Sequence, residues 1–106
     1  MHVQIVEFEL QGISHGDYER RCEQFAETFA GLPGLLAKVW VIDPESNRAG
    51  GVYTWIDRAA SEAYEASELF AAVRADPSLA NVRSRHFDVL ERPTETTRGL
   101  SVPVAA

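Results

Sequence analysis

Two neighbouring segments of this chain are apolar on both faces of a predicted β-strand. LLAKVWVID (35–43) and GVYTWI (51–56) are both rich in the β-branched and aromatic residues that favour strands. Side chains alternate between the two faces of a strand, and in both segments each set is largely apolar. In a chain of 106 residues, helices can cover only one face of such a sheet. The sequence therefore predicts a homodimer in which a second copy covers the other face.

The order of the remaining segments predicts the topology. Helices are indicated by apolar residues at helical spacing, and their starts by capping residues such as Ser14 and Asp57. The predicted elements are strands at 3–10, 35–43, 51–56 and 81–91, and helices at 15–30 and 58–67, the second helix continuing in a short piece at 68–75. This βαββαβ order predicts an α+β, ferredoxin-like fold with a four-stranded antiparallel sheet.

Length and charge limit the classes of function. Residues 1–92 are predicted to form a single domain, and residues 93–106, which lack periodicity, a C-terminal tail or arm. The net charge of −6 argues against nucleic acid as a partner. No segment approaches the roughly 20 apolar residues of a membrane span. These features predict a cytoplasmic protein that binds neither nucleic acid nor membrane.

Lys38 is the one charged residue in the middle of the second predicted strand, and the only lysine in the chain. Its first interpretation is structural, because the ferredoxin-like topology places this strand at a sheet edge, where a charge opposes unwanted strand addition. There it would pair with Asp88 or a glutamate of a second subunit. The second interpretation is functional, as a cation that orients an anionic or phenolate substrate.

The aromatic residues of strands two and three also allow two interpretations. Trp40, Tyr53 and Trp55, with Tyr18 from the first helix, could line a pocket for a planar ligand. They could equally fill an ordinary core. The choice depends on strand register, which the sequence leaves open. The neighbouring pair Gly50-Gly51 predicts a bulge, or else a close approach by a ligand or the partner backbone.

His86 is the candidate general base, because imidazole titrates near neutral pH. The alternative is that it does no chemistry, while His15 and His2 give no sign of a catalytic role. The three histidines lack the spacing of a metal site. Because no P-loop and no GxGxxG motif occurs, no nucleotide cofactor is expected. Cys22, on the apolar side of the first helix, is predicted to be a core residue.

The segment GLLAKVWVIDPESNRAGGVYTW (34–55), followed by RHFDV (85–89), resembles the YdhR-type mono-oxygenase family of dimeric α/β-barrel proteins. The resemblance covers roughly residues 3 to 92 and implies a fold shared with antibiotic-biosynthesis mono-oxygenases. It also implies a homodimer whose two sheets face each other to form a barrel. The asparagine, tryptophan and histidine set of the haem-degrading branch finds no match here. His86 stands where the family pattern has an apolar residue.

The resemblance implies a cofactor-independent mono-oxygenase that acts on a hydroquinone or an anthrone-like phenol with dioxygen. In this hypothesis His86 is the base and Lys38 stabilises the anion. Trp40, Tyr53, Trp55 and Tyr18 form the substrate-binding walls. Two other functions fit the same scaffold: a non-oxidative isomerase or cyclase, and a non-catalytic dimer that binds a small molecule.

Overall fold

The computed structural model describes residues 1–100 as a four-stranded antiparallel sheet with helices packed on one face. The strand order is β2-β3-β1-β4, so β2 is an edge strand, as predicted. In chain order the elements are β1 (His2–Leu10), α1 (His15–Ala30), β2 (Leu35–Asp43), β3 (Arg48–Trp55), α2 (Arg58–Glu65), α3 (Glu68–Ala75), β4 (Leu79–Asp88) and α4 (Glu91–Thr96). The predicted ferredoxin-like topology is confirmed.

Capping side chains begin three of the helices. Ser14 starts α1, Asp57 starts α2 and Ser67 starts α3. Each side-chain oxygen accepts a hydrogen bond from the backbone N–H three residues further along the chain. Such a cap satisfies a backbone donor that the helix itself leaves unpaired. Ser67 therefore separates α2 from α3, and this break lets the two helices lie over different parts of the sheet.

The end of the chain differs in part from its prediction. Strand β4 ends at Asp88 rather than at residue 91, and the short helix α4 follows it. The predicted domain boundary at residue 92 therefore falls inside a helix. Residues 101–106 of the predicted tail lie outside the described residues. Within residues 1–100, none of the helices has the length and apolar character that crossing a bilayer requires.

The register aligns four polar or aromatic residues in one row across the sheet. Lys38 of β2 pairs with Tyr53 of β3, which pairs with Gln4 of β1, which pairs with His86 of β4. All four lie on the face that the helices cover, since the even-numbered residues of β1 are the buried ones. Three strand spacings of about 4.8 Å place the Cα atoms of Lys38 and His86 roughly 14 Å apart. The register thus answers the question that the sequence left open.

The other face of the sheet carries the second apolar surface that the sequence predicts. Val39, Val41 and Phe87 lie there and are 59%, 41% and 51% exposed. Towards one end of this face, Glu7 lies 2.8 Å from a guanidinium nitrogen of Arg83. Among residues 1–100, the segment 94–100 borders this surface beside Val3, Thr54 and Phe87, and the exposed remainder is the face available to a partner.

The Gly50-Gly51 pair does not form a bulge, because pairing with both neighbouring strands is continuous through it. The close approach at Gly50 is made by this chain's own backbone, and not by a ligand or a partner as the sequence analysis proposed. A Cβ at position 50 would lie 1.9 Å from the carbonyl oxygen of Val6, in the backbone of β1. Only glycine therefore allows β1 and β3 to pair at this distance.

Candidate functional site

A cavity of about 160 Å³ lies between helices α1 and α3 and the covered face of the sheet. Its lining is mostly apolar and aromatic, which is typical of small-molecule sites. The sheet contributes Val6, Phe8, Lys38, Trp40, Gly51 and Tyr53, helix α1 contributes Tyr18, Arg21, Cys22, Phe25 and Phe29, and α3 with the turn after it contributes Leu69, Val73 and Asp76. Four predicted site residues, Tyr18, Lys38, Trp40 and Tyr53, therefore meet in one pocket.

Lys38 points into this pocket rather than outward from the edge of the sheet. Its Nζ lies 3.3 Å from the ring centroid of Trp40 and 3.5 Å from that of Phe29. The ring of Tyr53 is 4.6 Å away. Among residues 1–100, no carboxylate or hydrogen-bond acceptor is paired with this nitrogen. Within one chain, the amine therefore belongs to the pocket and does not project from the sheet edge, where the structural interpretation placed it.

Two opposing effects act on the Lys38 amine. Burial among apolar groups disfavours the ammonium form and lowers the pKa of Lys38 to about 7, while the nearby Cys22 acts in the opposite direction. The π faces of the surrounding rings favour the cation. The neutral amine and the ammonium are consequently both populated near neutral pH. A lysine in this condition can accept a proton or attack an electrophile.

Gly51 provides the space that the lysine side chain occupies. A Cβ at this position would lie 2.8 Å from Lys38 Cε and 3.1 Å from Tyr53 Cε1. Both distances are shorter than normal van der Waals contact. The glycine is thus part of the pocket floor, and its role follows from its pairing opposite Trp40 on β2.

The remaining polar groups of the pocket are neutral or paired. Burial raises the pKa of the Tyr18 hydroxyl well above its usual range, and burial also raises the pKa of the Cys22 thiol. Both groups therefore keep their protons at neutral pH and can donate hydrogen bonds. At the rim, Arg21 Nη1 donates to Asp76 Oδ2 over 2.8 Å and so joins α1 to the end of α3. No local sequence pattern indicates this pair, whose members are 55 residues apart.

Trp55 does not line the pocket, although the sequence proposed it as a wall. The residue is fully buried, and its ring stacks on Tyr53 at a centroid distance of 5.9 Å. Its indole Nε1 donates to Gln4 Oε1 over 3.0 Å. Helix α2, which contacts β1 and β3, covers this end of the sheet. Trp55 is a core residue behind the pocket.

His86 also lies outside the pocket, in a separate network of polar side chains. Its Nδ1 is 3.0 Å from His2 Nε2, and its Nε2 is 2.5 Å from Glu65 Oε2. His2 Nδ1 in turn lies 3.1 Å from Asp88 Oδ1. The two imidazoles are thus held in a chain that has a carboxylate at each end. The predicted general base is consequently separated from the cavity and occupied by partners.

Gln4 connects this His86 network to the core. Its Oε1 accepts hydrogen bonds from Trp55 Nε1 and from Ser61 Oγ, and its Nε2 donates to Ser84 Oγ. Gln4 and Ser61 are completely buried, and His2 is almost so. The sequence reveals these residues only through the alternation in β1, which places positions 2, 4 and 6 on one face. Within residues 1–100, no group of three or more acidic, histidine or cysteine residues is arranged to hold a metal ion.

Comparison with known proteins adds a family to this geometry. The model of the family described as "Putative mono-oxygenase ydhR" matches residues 3–100. The match spans nearly the whole chain and includes the pocket and, apart from His2, the His86 network. Among curated proteins, no match was found.

Several solved structures share the fold. MhuD from Mycobacterium tuberculosis, a haem degrader with two haems bound in its active site, has 22% identity and a TM-score of 0.68, over 85% of this chain and 96% of that chain. SnoaB, a cofactor-independent oxygenase from Streptomyces nogalater, has 18% identity and a TM-score of 0.67, over 85% and 93%. A "putative antibiotic biosynthesis monooxygenase" from Deinococcus radiodurans has 9% identity and a TM-score of 0.69, over 86% and 94%.

Proposed function

The chain belongs to the ydhR mono-oxygenase family, and from this premise we propose that it is a cofactor-independent mono-oxygenase for a small phenol or hydroquinone. The observation that supports this proposal most directly is the Lys38 amine, unpaired at the wall of an apolar cavity. Such a reaction needs a base, a group that holds the resulting anion, and a dry pocket. In this proposal the protein is cytoplasmic.

The size of the cavity favours a substrate with one aromatic ring. An apolar cavity of about 150 Å³ is known to hold benzene, and this one has about 160 Å³. A single ring could lie against Trp40 and Tyr53, with its hydroxyl directed at Lys38. The three fused rings of an anthrone would have to extend past the rim. The proposal therefore favours hydroquinones over anthrones.

Haem, which MhuD binds, fits this pocket poorly. A porphyrin is several times larger than a single benzene ring, and the cavity has only about 160 Å³. No histidine is among the pocket-lining residues within the described part of the chain. Haem iron is most often held by an imidazole or a thiolate, and burial keeps Cys22 in its thiol form. No step of the proposed reaction involves haem.

Lys38 takes the role of base that the sequence hypothesis gave to His86. The neutral amine removes the phenolic proton, and the resulting ammonium then lies beside the aryloxide and holds it. The anion gives one electron to dioxygen, and the two radicals combine to form a C–O bond. Loss of water from the peroxide leaves a hydroxyquinone when the substrate is a hydroquinone. One oxygen atom enters the product and the other leaves as water, so that no external reductant is needed.

A homodimer completes the proposal. The uncovered face of the sheet exposes Val39, Val41 and Phe87, and face-to-face packing of two such sheets would bury them. The pocket lies on the opposite face of each sheet. Each subunit would thus carry its own site, with the shared interface behind it.

The test is oxygen uptake by the purified protein with hydroquinones, catechols and anthrones, for the wild type, Lys38→Met and His86→Gln. The proposal expects uptake with single-ring substrates that Lys38→Met abolishes and that folded His86→Gln retains. If His86→Gln is inactive and Lys38→Met is active, His86 is the base. Turnover that continues without oxygen would support the isomerase or cyclase alternative. Saturable binding of these compounds without any turnover would support the binding-dimer alternative.

A further inference from the structure

The Lys38 amine has properties that suit a second kind of chemistry, one that requires no oxygen. Its Nζ borders an accessible cavity, and no carboxylate among residues 1–100 holds it in place. The aromatic rings that flank it at 3.3 Å and 3.5 Å also line the cavity. A desolvated amine in an apolar pocket is the usual setting of a nucleophilic lysine.

We propose that Lys38 Nζ is a nucleophile that forms a reversible imine with small, uncharged aldehydes or ketones bound in the pocket. The nitrogen lone pair attacks the carbonyl carbon to give a carbinolamine, and the carbonyl oxygen takes up a proton. The C–O bond then breaks, this oxygen leaves as water, and a C=N bond remains. Hydrolysis reverses the sequence, so neither an oxidant nor a reductant is consumed.

The lining of the pocket defines the class of carbonyl compound. An ionised substrate would lose its hydration among apolar and aromatic side chains, which is unfavourable without a partner for each charge. At the rim, Arg21 and Asp76 already pair with each other, so neither is left free to partner an ionised substrate. An aromatic ring attached to the carbonyl can pack on the apolar and aromatic lining of the pocket. Small aryl aldehydes and aryl ketones therefore fit best.

Hydrogen-bond donors that can stabilise the departing oxygen, which takes its proton from solvent, are present in the same cavity. The Tyr18 hydroxyl and the Cys22 thiol both line it. Burial raises the pKa of each group, so that both are protonated at neutral pH. Tyr18 is the better candidate, since a hydroxyl donates a stronger hydrogen bond to oxygen than a thiol does.

Reductive trapping tests this inference with little ambiguity, because the chain contains a single lysine. The wild-type protein is incubated without oxygen at pH 7.5 with benzaldehyde and cyanoborohydride, which reduces an imine to a stable benzylamine. Mass spectrometry of the peptides then reports modification at Lys38 and, as an internal reference, at the terminal amine. Free lysine is only about 0.1% neutral at this pH. We expect Lys38 to react at least ~10-fold faster than Nα-acetyl-lysine.

Denatured protein supplies the matched control. In urea the pocket is lost, and the rate at Lys38 should fall to that of Nα-acetyl-lysine. Phenylacetate, which is anionic and has no electrophilic carbonyl, should not protect Lys38, whereas acetophenone should compete with benzaldehyde. The inference is overturned if Lys38 remains unmodified while the terminal amine reacts, or if unfolding leaves the rate at Lys38 unchanged.

The two experiments distinguish imine formation at Lys38 from the mono-oxygenase reaction. Trapping at Lys38 without oxygen uptake on any phenol would support Lys38 as a nucleophile and contradict the mono-oxygenase proposal. Oxygen uptake that depends on Lys38, without trapping, would leave the amine as a base only and overturn the inference.

Discussion

Lys38 and His86 lie at opposite ends of one row of paired residues, on the same helix-covered face of the sheet, yet their surroundings are opposite. His86 has His2 on one ring nitrogen and Glu65 on the other. The Lys38 amine has aromatic rings and an open cavity instead of partners. Both are polar groups inside an apolar layer, but of the two only His86 has hydrogen-bond partners there.

In the proposed function, this contrast assigns chemistry to the Lys38 end of the sheet and stability to the His86 end. A buried polar group with all its hydrogen bonds made stabilises a single arrangement of the core. A buried polar group without hydrogen-bond partners destabilises the folded state. Such groups cluster at functional sites. The sequence assigned catalysis to both residues, and the structure separates them. Substitutions at the two ends of the row test this separation of Lys38 from His86.

The largest expected effect is on activity at the unpaired end. Replacing Lys38 by methionine keeps the apolar stem and removes the base, so the oxygen-uptake rate should fall by 10²- to 10⁴-fold. Lys38→Arg is the matched control, because it keeps a cation that does not release its proton. If Lys38→Arg is as active as the wild type, a positive charge alone is sufficient and the role as base is wrong.

The next largest effect is on stability at the paired end. Gln4→Leu removes three hydrogen bonds and leaves the buried Trp55 indole N–H without an acceptor. We expect the free energy of unfolding in urea to fall by about 3 kcal/mol. Lys38 trapping by benzaldehyde should keep its wild-type rate in the folded variant. A slower trapping rate would show that the two ends of the row are coupled.

The pH dependence of stability sharpens the same comparison. The pKa of Lys38 is about 7 in the folded chain, whereas that of an unperturbed lysine, as in the unfolded chain, is 10.5. Between these values the unfolded chain binds more protons, so stability rises with pH. From pH 7 to pH 9 the unfolding free energy should increase by about 2 kcal/mol more in the wild type than in Lys38→Met. Equal slopes for the two proteins would mean that the aromatic rings keep the lysine charged.

The smallest effect concerns the pocket floor. In Gly51→Ala the new methyl group meets the flexible Lys38 stem at 2.8 Å and the Tyr53 ring at 3.1 Å. The lysine can move aside, so we expect a loss of stability of only about 1 kcal/mol. The same movement should slow Lys38 trapping several-fold. Unchanged trapping with unchanged stability would show that the stem has other room to move.

The fold could be predicted from the sequence because its signals are local. Strand alternation, helical spacing and the capping residues Ser14 and Asp57 define the elements, and their order defines the topology. The second apolar face also followed from alternation within β2 and β3. The tail is an exception, because the six-residue helix α4 is too short for periodicity to indicate it.

The site was only partly predictable, because its assembly depends on where the helices lie. Lys38, Trp40 and Tyr53 share a short hairpin, so local register brings them together. Trp55 and His86 lie on the same face, but α2 covers their end and closes it. His2 meets His86 from 84 residues away in the sequence. No local pattern indicates a contact of that kind, and His2 therefore seemed to have no role.

The adjacent glycines of β3 imply different rules for how related sequences can vary. A side chain at position 50 would collide with the main chain of β1, so no single compensating substitution can restore the pairing. A side chain at position 51 would collide with the flexible end of Lys38, so a shorter residue at position 38 would relieve it. Position 50 should therefore be fixed throughout the family, whereas position 51 should change together with position 38. Relatives that have lost the lysine would be the ones free to lose the second glycine.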